Sequence, residues 1–184
     1  MTGRRFSTRE LPSSLFKFPN PVNEVSARLV AGGVVLMTSA YVITGWSWVL
    51  FVLAYGFVAR ALTGPTLSPL GQLVTRVITP ALPIEPRPTA GPPKRFAQAI
   101  GAMLSVSAVG LYLGGSVGGS KLLVAMVLVA ASLEAFLGFC LGCRIFAVLM
   151  RRGVIPERVC EDCNDLSRRI PDPSADVDVL SAAR

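Results

Sequence analysis

Hydrophobic and polar positions are segregated along this chain rather than interleaved. Between Leu29 and Ala59 there is no charged residue, and between Ala99 and Leu133 the only one is Lys121. Uncharged or nearly uncharged runs of 31 and 35 residues exceed the roughly 20 residues that carry one helix through a bilayer. Each is therefore read as two spans folded back on each other. Thr44-Gly45, with Trp46 and Trp48 just beyond, breaks the first run: glycine permits the tight turn, and indoles favour the headgroup level. The stretch GGSVGGS at 114–120 breaks the second as a flexible connection. The pattern predicts an all-α integral membrane bundle of four transmembrane helices in two hairpins, with spans at 25–43, 46–62, 95–113 and 121–139. Small residues such as Gly32, Gly33, Gly101 and Ala102 are expected to let its helices approach.

Composition strengthens that reading. The chain is 52% hydrophobic and only 16% charged, well under the roughly 25% charged of soluble domains. A net charge of +7 invites a polynucleotide partner, but nucleic-acid binding needs cations lining a solvated surface. Here they flank the apolar runs instead. Arg4, Arg5, Arg9 and Lys17 precede the first span, and Arg76, Arg87, Lys94 and Arg95 lie between the second and third. Arg144, Arg151, Arg152 and Arg158 follow the fourth, while the two opposite turns hold only Lys121. By the positive-inside tendency both termini and the middle loop are cytoplasmic, in a multi-pass protein of the cell's inner (cytoplasmic) membrane. The first apolar segment lacks the short basic head of a cleaved leader and is expected to be retained.

Three parts follow: a mobile N-terminal tail (1–20), a membrane domain (21–152) and a cytoplasmic segment with a mobile acidic tail (153–184). The cytoplasmic loop 63–94 contains eight of the fourteen prolines, which excludes a long regular element. Its LGQLVTRVI stretch at 70–78 is apolar enough for a short helix on the membrane surface. A weak internal repeat, offset by 74 positions, aligns Ala61, Gly64 and Leu67 with Ala135, Gly138 and Leu141. The same offset sets Arg60 opposite Glu134, each about one turn inside the end of its helix, where an isolated charge is costly. Two functional expectations follow: an Arg60–Glu134 ion pair across the bundle, or Glu134 as proton acceptor beside the nearby thiols. The plainer alternative has Arg60 snorkelling to headgroups and Glu134 bonding a neighbouring helix.

Chemistry concentrates in four cysteines. Cys140-x2-Cys143 and Cys160-x2-Cys163 stand sixteen residues apart, the spacing of a four-thiolate zinc site. The pairs differ in setting. Arg144 adjoins the first and favours its thiolate, against the effect of apolar burial; Glu161, Asp162 and Asp165 surround the second and oppose ionisation. On the reducing side of the membrane lasting disulfides are not expected, whereas cycling thiols exchanging through mixed disulfides or persulfides are. Zinc ligation and inert boundary cysteines remain alternatives, as does a small transporter of a sulfur-containing anion.

The strings PNPVNEVSARLVAGG, ARALTGPTLSPLGQLVTRVITP, GPPKRFAQAIGA, GFCLGCRIFAVLMRRGVIPE and VCEDCND resemble, from about Asn20 to Asp165, an actinobacterial four-span membrane family known only as a domain of unknown function. Its members are often encoded near rhodanese-type sulfurtransferases and thioredoxin-like proteins, so the resemblance implies a soluble partner of that kind. NEVSARLVAGG with GFCLGC is also similar to the two-helix anchor of rhodanese-bearing membrane proteins, departing from it in having four spans and no rhodanese domain. The function expected is a membrane thiol or sulfur relay in which Cys140 and Cys143 react and Cys160 and Cys163 shuttle.

Overall fold

A computed structural model describes residues 20–85, 87–156 and 159–160. The N-terminal tail, apart from Asn20, and the acidic tail with Cys163 lie outside them. The described chain is mostly helical. Strand β1 (Val22–Asn23) leads directly into α1 (Glu24–Thr44), and Asn23 caps that helix by accepting from the Val25 N–H at 3.0 Å. Helix α1 stops at Gly45, whose left-handed φ of 74° reverses the chain into α2 (Ser47–Thr63).

The proline-rich segment holds a short helical run: α3 (Pro69–Leu73), a π-helical turn (Val74–Ile78), then α4 (Thr79–Ala81). The π turn sits just before Pro80, which brings no N–H to the ladder. This run packs against α1 and α2, Leu70 closing over Gly33; the neighbouring Gly32 meets nothing. Strand β2 (Pro88–Thr89) pairs antiparallel with β1, Val22 opposite Thr89 and Asn23 opposite Pro88. It leads into α5 (Gly91–Leu113). Pro92 and Pro93 occupy the first turn of α5, where their missing N–H groups cost nothing. The helix therefore begins four residues before the predicted span and includes Lys94.

After a turn at Gly114–Gly115, α6 (Val117–Leu137) runs back and α7 (Leu141–Arg151) follows. Helix α1 packs on α6, α6 on α5, α5 on α2 and α2 on α1. This ring of four leaves α2 and α6 on a diagonal. Tyr41, Leu50, Leu53, Ala108 and Val124 are sealed inside it, and the Tyr41 and Ser120 hydroxyls pair at 2.7 Å. Phe57 seats on Gly101, where a Cβ would come within 2.3 Å of its ring.

The outer surface is the opposite of a soluble bundle's. Leu36, Met103, Leu122, Val129 and Phe136 are each 60% exposed or more, an apolar belt that requires an apolar solvent. Helices α1, α5 and α6 are long and apolar enough to cross a membrane. Helix α2, with 17 residues, rises about 25 Å, less than the ~30 Å hydrocarbon core. A helical membrane protein with three such spanning helices and one shorter apolar helix is what the architecture supports.

Candidate functional site

Helix α6 ends at Gly138, in the left-handed conformation (φ 66°). Arg28 of α1 donates to the last-turn carbonyls of Ala135 and Phe136 at 3.2 and 3.1 Å, placing a cation at the negative end of the helix. The chain then turns so that Cys140 becomes the N-cap of α7. Its sulfur accepts from the Cys143 N–H at 3.4 Å and from the Cys143 thiol at 2.7 Å. Both cysteines are free. Their sulfurs lie beyond the ~2.05 Å of a covalent bond, so the pair is a dithiol.

Gly142 lets this motif sit against α5. A Cβ there would lie 2.6 Å from the Ala97 Cα and 2.5 Å from its Cβ, so any side chain would lift α7 off the bundle. Phe146, buried on the next turn, meets Phe96 edge-on at 5.6 Å. Two charges lie behind the thiols: Lys94 of α5 pairs with Glu134 of α6 at 2.5 Å, both largely buried.

The hydrogen bond from the Cys143 thiol holds Cys140 below the ordinary thiol range. Burial and the Glu134 carboxylate push it up, and Lys94 pulls it down. The same bond, seen from the donor, pushes Cys143 far up, with burial adding to it. Cys140 is the member that ionises first, helped by its place at a helix N-terminus.

Beside Cys140 a cavity of about 300 Å³ opens between α1, α5, α6 and α7. Val30, Ala31, Leu104, Val127 and Ala131 typify its walls. Gln98 and Glu134 are the only described lining residues with nitrogen or oxygen in their side chains.

Residues 22–151 match the profile of a family described as a domain of unknown function (DUF4395). The chain belongs to that family. No curated protein and no solved structure matches it.

In this DUF4395 protein the predicted site residues separate. Cys140, Cys143 and Glu134 come together, but Arg60 does not join them, which corrects the expected Arg60–Glu134 pair. Arg60 is 5% exposed. Its Nε donates to Gln98 Oε1 at 3.0 Å, its Nη1 to Ser68 Oγ at 3.1 Å, and its guanidinium lies 4.7 Å from the Phe57 ring centre. The cause is the ring order: α2 and α6 are diagonal, and α5 stands between them with Lys94 toward Glu134 and Gln98, one turn on, toward Arg60.

Cys160 is buried and disulfide-bonded; Cys163 lies outside the described residues. Lys94, Gln98 and Gly142 were missed as site residues. Their signals in the sequence were the one-turn spacing of Lys94 and Gln98 after a Pro-Pro helix start, and the helical period of 141–151.

Proposed function

We propose that this DUF4395 protein is a membrane-embedded thiol relay. Its three long helices and the shorter α2 insert with the basic end toward the cytoplasm, and Cys140 and Cys143 exchange disulfides or persulfides with a soluble thioredoxin-like or sulfurtransferase partner. The observation that carries the reading is the free thiol pair at the N-cap of α7, with Cys140 as the lower-pKa member. A thiol in that setting attacks a disulfide, or is attacked in one, faster than an ordinary cysteine. Sidedness rests on the distribution of charge: β1, β2, the proline-rich segment and α7 gather at one end of the bundle with nearly all the described cations, and Lys121 stands near the other.

In this reading Cys160, already bonded, and Cys163 pass oxidising equivalents to or from the first pair. Transport of a sulfur-containing anion has less support, because the cavity is apolar and both buried cations are engaged. The test is trapping. With Cys143→Ser, Cys140 should form a reductant-sensitive adduct with a thioredoxin-like protein whose own resolving cysteine is replaced by serine, and Cys140→Ser should abolish it. Absence of any adduct, thiol labelling by an impermeant maleimide from outside intact cells, or one zinc per chain shielding all four thiols would each defeat the relay.

A further inference from the structure

The relay reading leaves open where the electrons go, and the cavity answers. We propose that it binds a lipid-soluble quinone whose ring lies against Cys140 and accepts the two electrons of the dithiol. This inference rests on the thiol-relay reading and supplies its second terminus.

Three observations converge. First, the cavity lies among apolar helices, and its rim residues Met126, Leu141 and Ile145 are 53, 42 and 41% exposed. An apolar molecule enters it from the lipid, whereas a soluble protein's disulfide or a charged nucleotide cofactor does not. At about 300 Å³ it is at the small end of the roughly 300–1,000 Å³ range of ligand sites, room for one ring and the start of a tail that continues into the bilayer.

Second, Cys140 lines the cavity and Cys143 does not. The sulfur that ionises first is the one presented to the ligand. Third, the cavity that Cys140 lines has two polar side chains in its wall, Gln98 and Glu134. Gln98 gives its Oε1 to Arg60, which leaves its amide N–H groups to donate to a ring carbonyl. Glu134, held by Lys94, stands on the α6 side. A ring with two carbonyl oxygens suits a pocket with one amide donor, whereas a plain hydrocarbon leaves that donor unsatisfied.

The step balances. The Cys140 thiolate adds to a ring carbon, forming a C–S bond. Cys143 loses its proton and attacks the Cys140 sulfur; the S–S bond forms, the C–S bond breaks, and its electron pair enters the ring. The two ring oxygens take up two protons, equal to those lost by the two thiols. The dithiol is oxidised by two electrons to a disulfide, and the quinone is reduced by two to the quinol. A soluble dithiol partner then returns the disulfide to the dithiol.

The experiment uses the reduced full-length chain in lipid nanodiscs, carrying Cys160→Ser and Cys163→Ser so that only the first pair is counted, with a decyl-substituted benzoquinone as probe. Quinone absorbance should fall as two thiols per quinol disappear, and Cys143→Ser should hold the reaction at a thiolate–quinone adduct. Ala131→Phe, filling the cavity, should slow quinol formation by about tenfold or more, equivalent to ~1.4 kcal/mol, with trapping of the soluble partner on Cys140 unchanged. Ile145→Trp at the exposed rim carries the same test should Ala131→Phe not fold. Quinol formation at full rate in both filled variants overturns the quinone site. Mixed disulfides without quinol formation overturn it too but leave the relay standing, and loss of both reactions in the unblocked chain removes the relay itself.

Discussion

Two cations are buried in the bundle, Lys94 on α5 and Arg60 on α2, and they are held in opposite ways. Lys94 faces a carboxylate, Glu134, in a compact ion pair. Among the described residues Arg60 has no carboxylate partner and its Nη2 no hydrogen-bond partner; an amide, a hydroxyl and an aromatic face surround it. Dipoles suffice to hold a delocalised guanidinium, whose charge is weakly hydrated and spread over a plane. A compact ammonium needs a counter-charge. The difference also divides the work. Arg60 ties α2, α3 and α5 together through Ser68 and Gln98, while the Lys94–Glu134 pair stands beside the thiols and sets the field in which Cys140 ionises.

Breaking the ion pair from one side gives the largest effect. Glu134→Leu leaves Lys94 buried without its counter-charge and should cost about 3–5 kcal/mol, read as a fall in detergent melting temperature. Adding Lys94→Met should recover most of that loss, whereas adding Arg60→Leu should not, since Arg60 and Glu134 do not touch and their effects should sum. Recovery by the Arg60 change would overturn the ring order described above.

Next in size, Arg60→Met should cost about 1–3 kcal/mol by leaving the Gln98 Oε1 without its donor, while Ser68 Oγ keeps the Gly71 N–H at 3.2 Å. No carboxylate substitution should rescue it. A compensating acidic variant would mean that Arg60 has a charged partner after all.

The smallest effect is on chemistry rather than stability. Removing the donor with Cys143→Ala lets the Cys140 pKa rise, because the bond that lowers it is gone. The alkylation–pH curve of Cys140 should then move to higher pH. At neutral pH, where a smaller thiolate fraction remains, the rate should drop by up to about tenfold for each unit of pKa gained. A curve that stays put would show that Lys94 and the α7 N-terminus, not Cys143, hold the thiolate.

Much of the helical layout was legible in the sequence, because apolar runs interrupted by Gly45 and by Gly114–Gly115 mark helices and turns without any tertiary knowledge. Partnership was not. The offset that aligned Arg60 with Glu134 compares positions along two hairpins, but it carries no information on which helices become neighbours and which become diagonal. Helix α7 was hidden for another reason. Its apolar residues continue the run of α6, and only the left-handed Gly138 separates them. Lys94 counts as a flanking charge in the sequence because it stands at the edge of the apolar run, just after two prolines. Those prolines belong to the first helical turn, and that placement carries Lys94 inward. The Cys-x-x-Cys spacing is plain in the sequence; its capping geometry and the cavity behind it depend on the fold.

Lys94 and Gln98 sit one turn apart on the same helix, each engaged by a different neighbour. Helix α5 is thereby keyed like a shaft with two teeth. A small rotation that freed the ammonium would pull the amide from the guanidinium as well, so the two contacts together fix the angle at which α5 sits against α2 and α6.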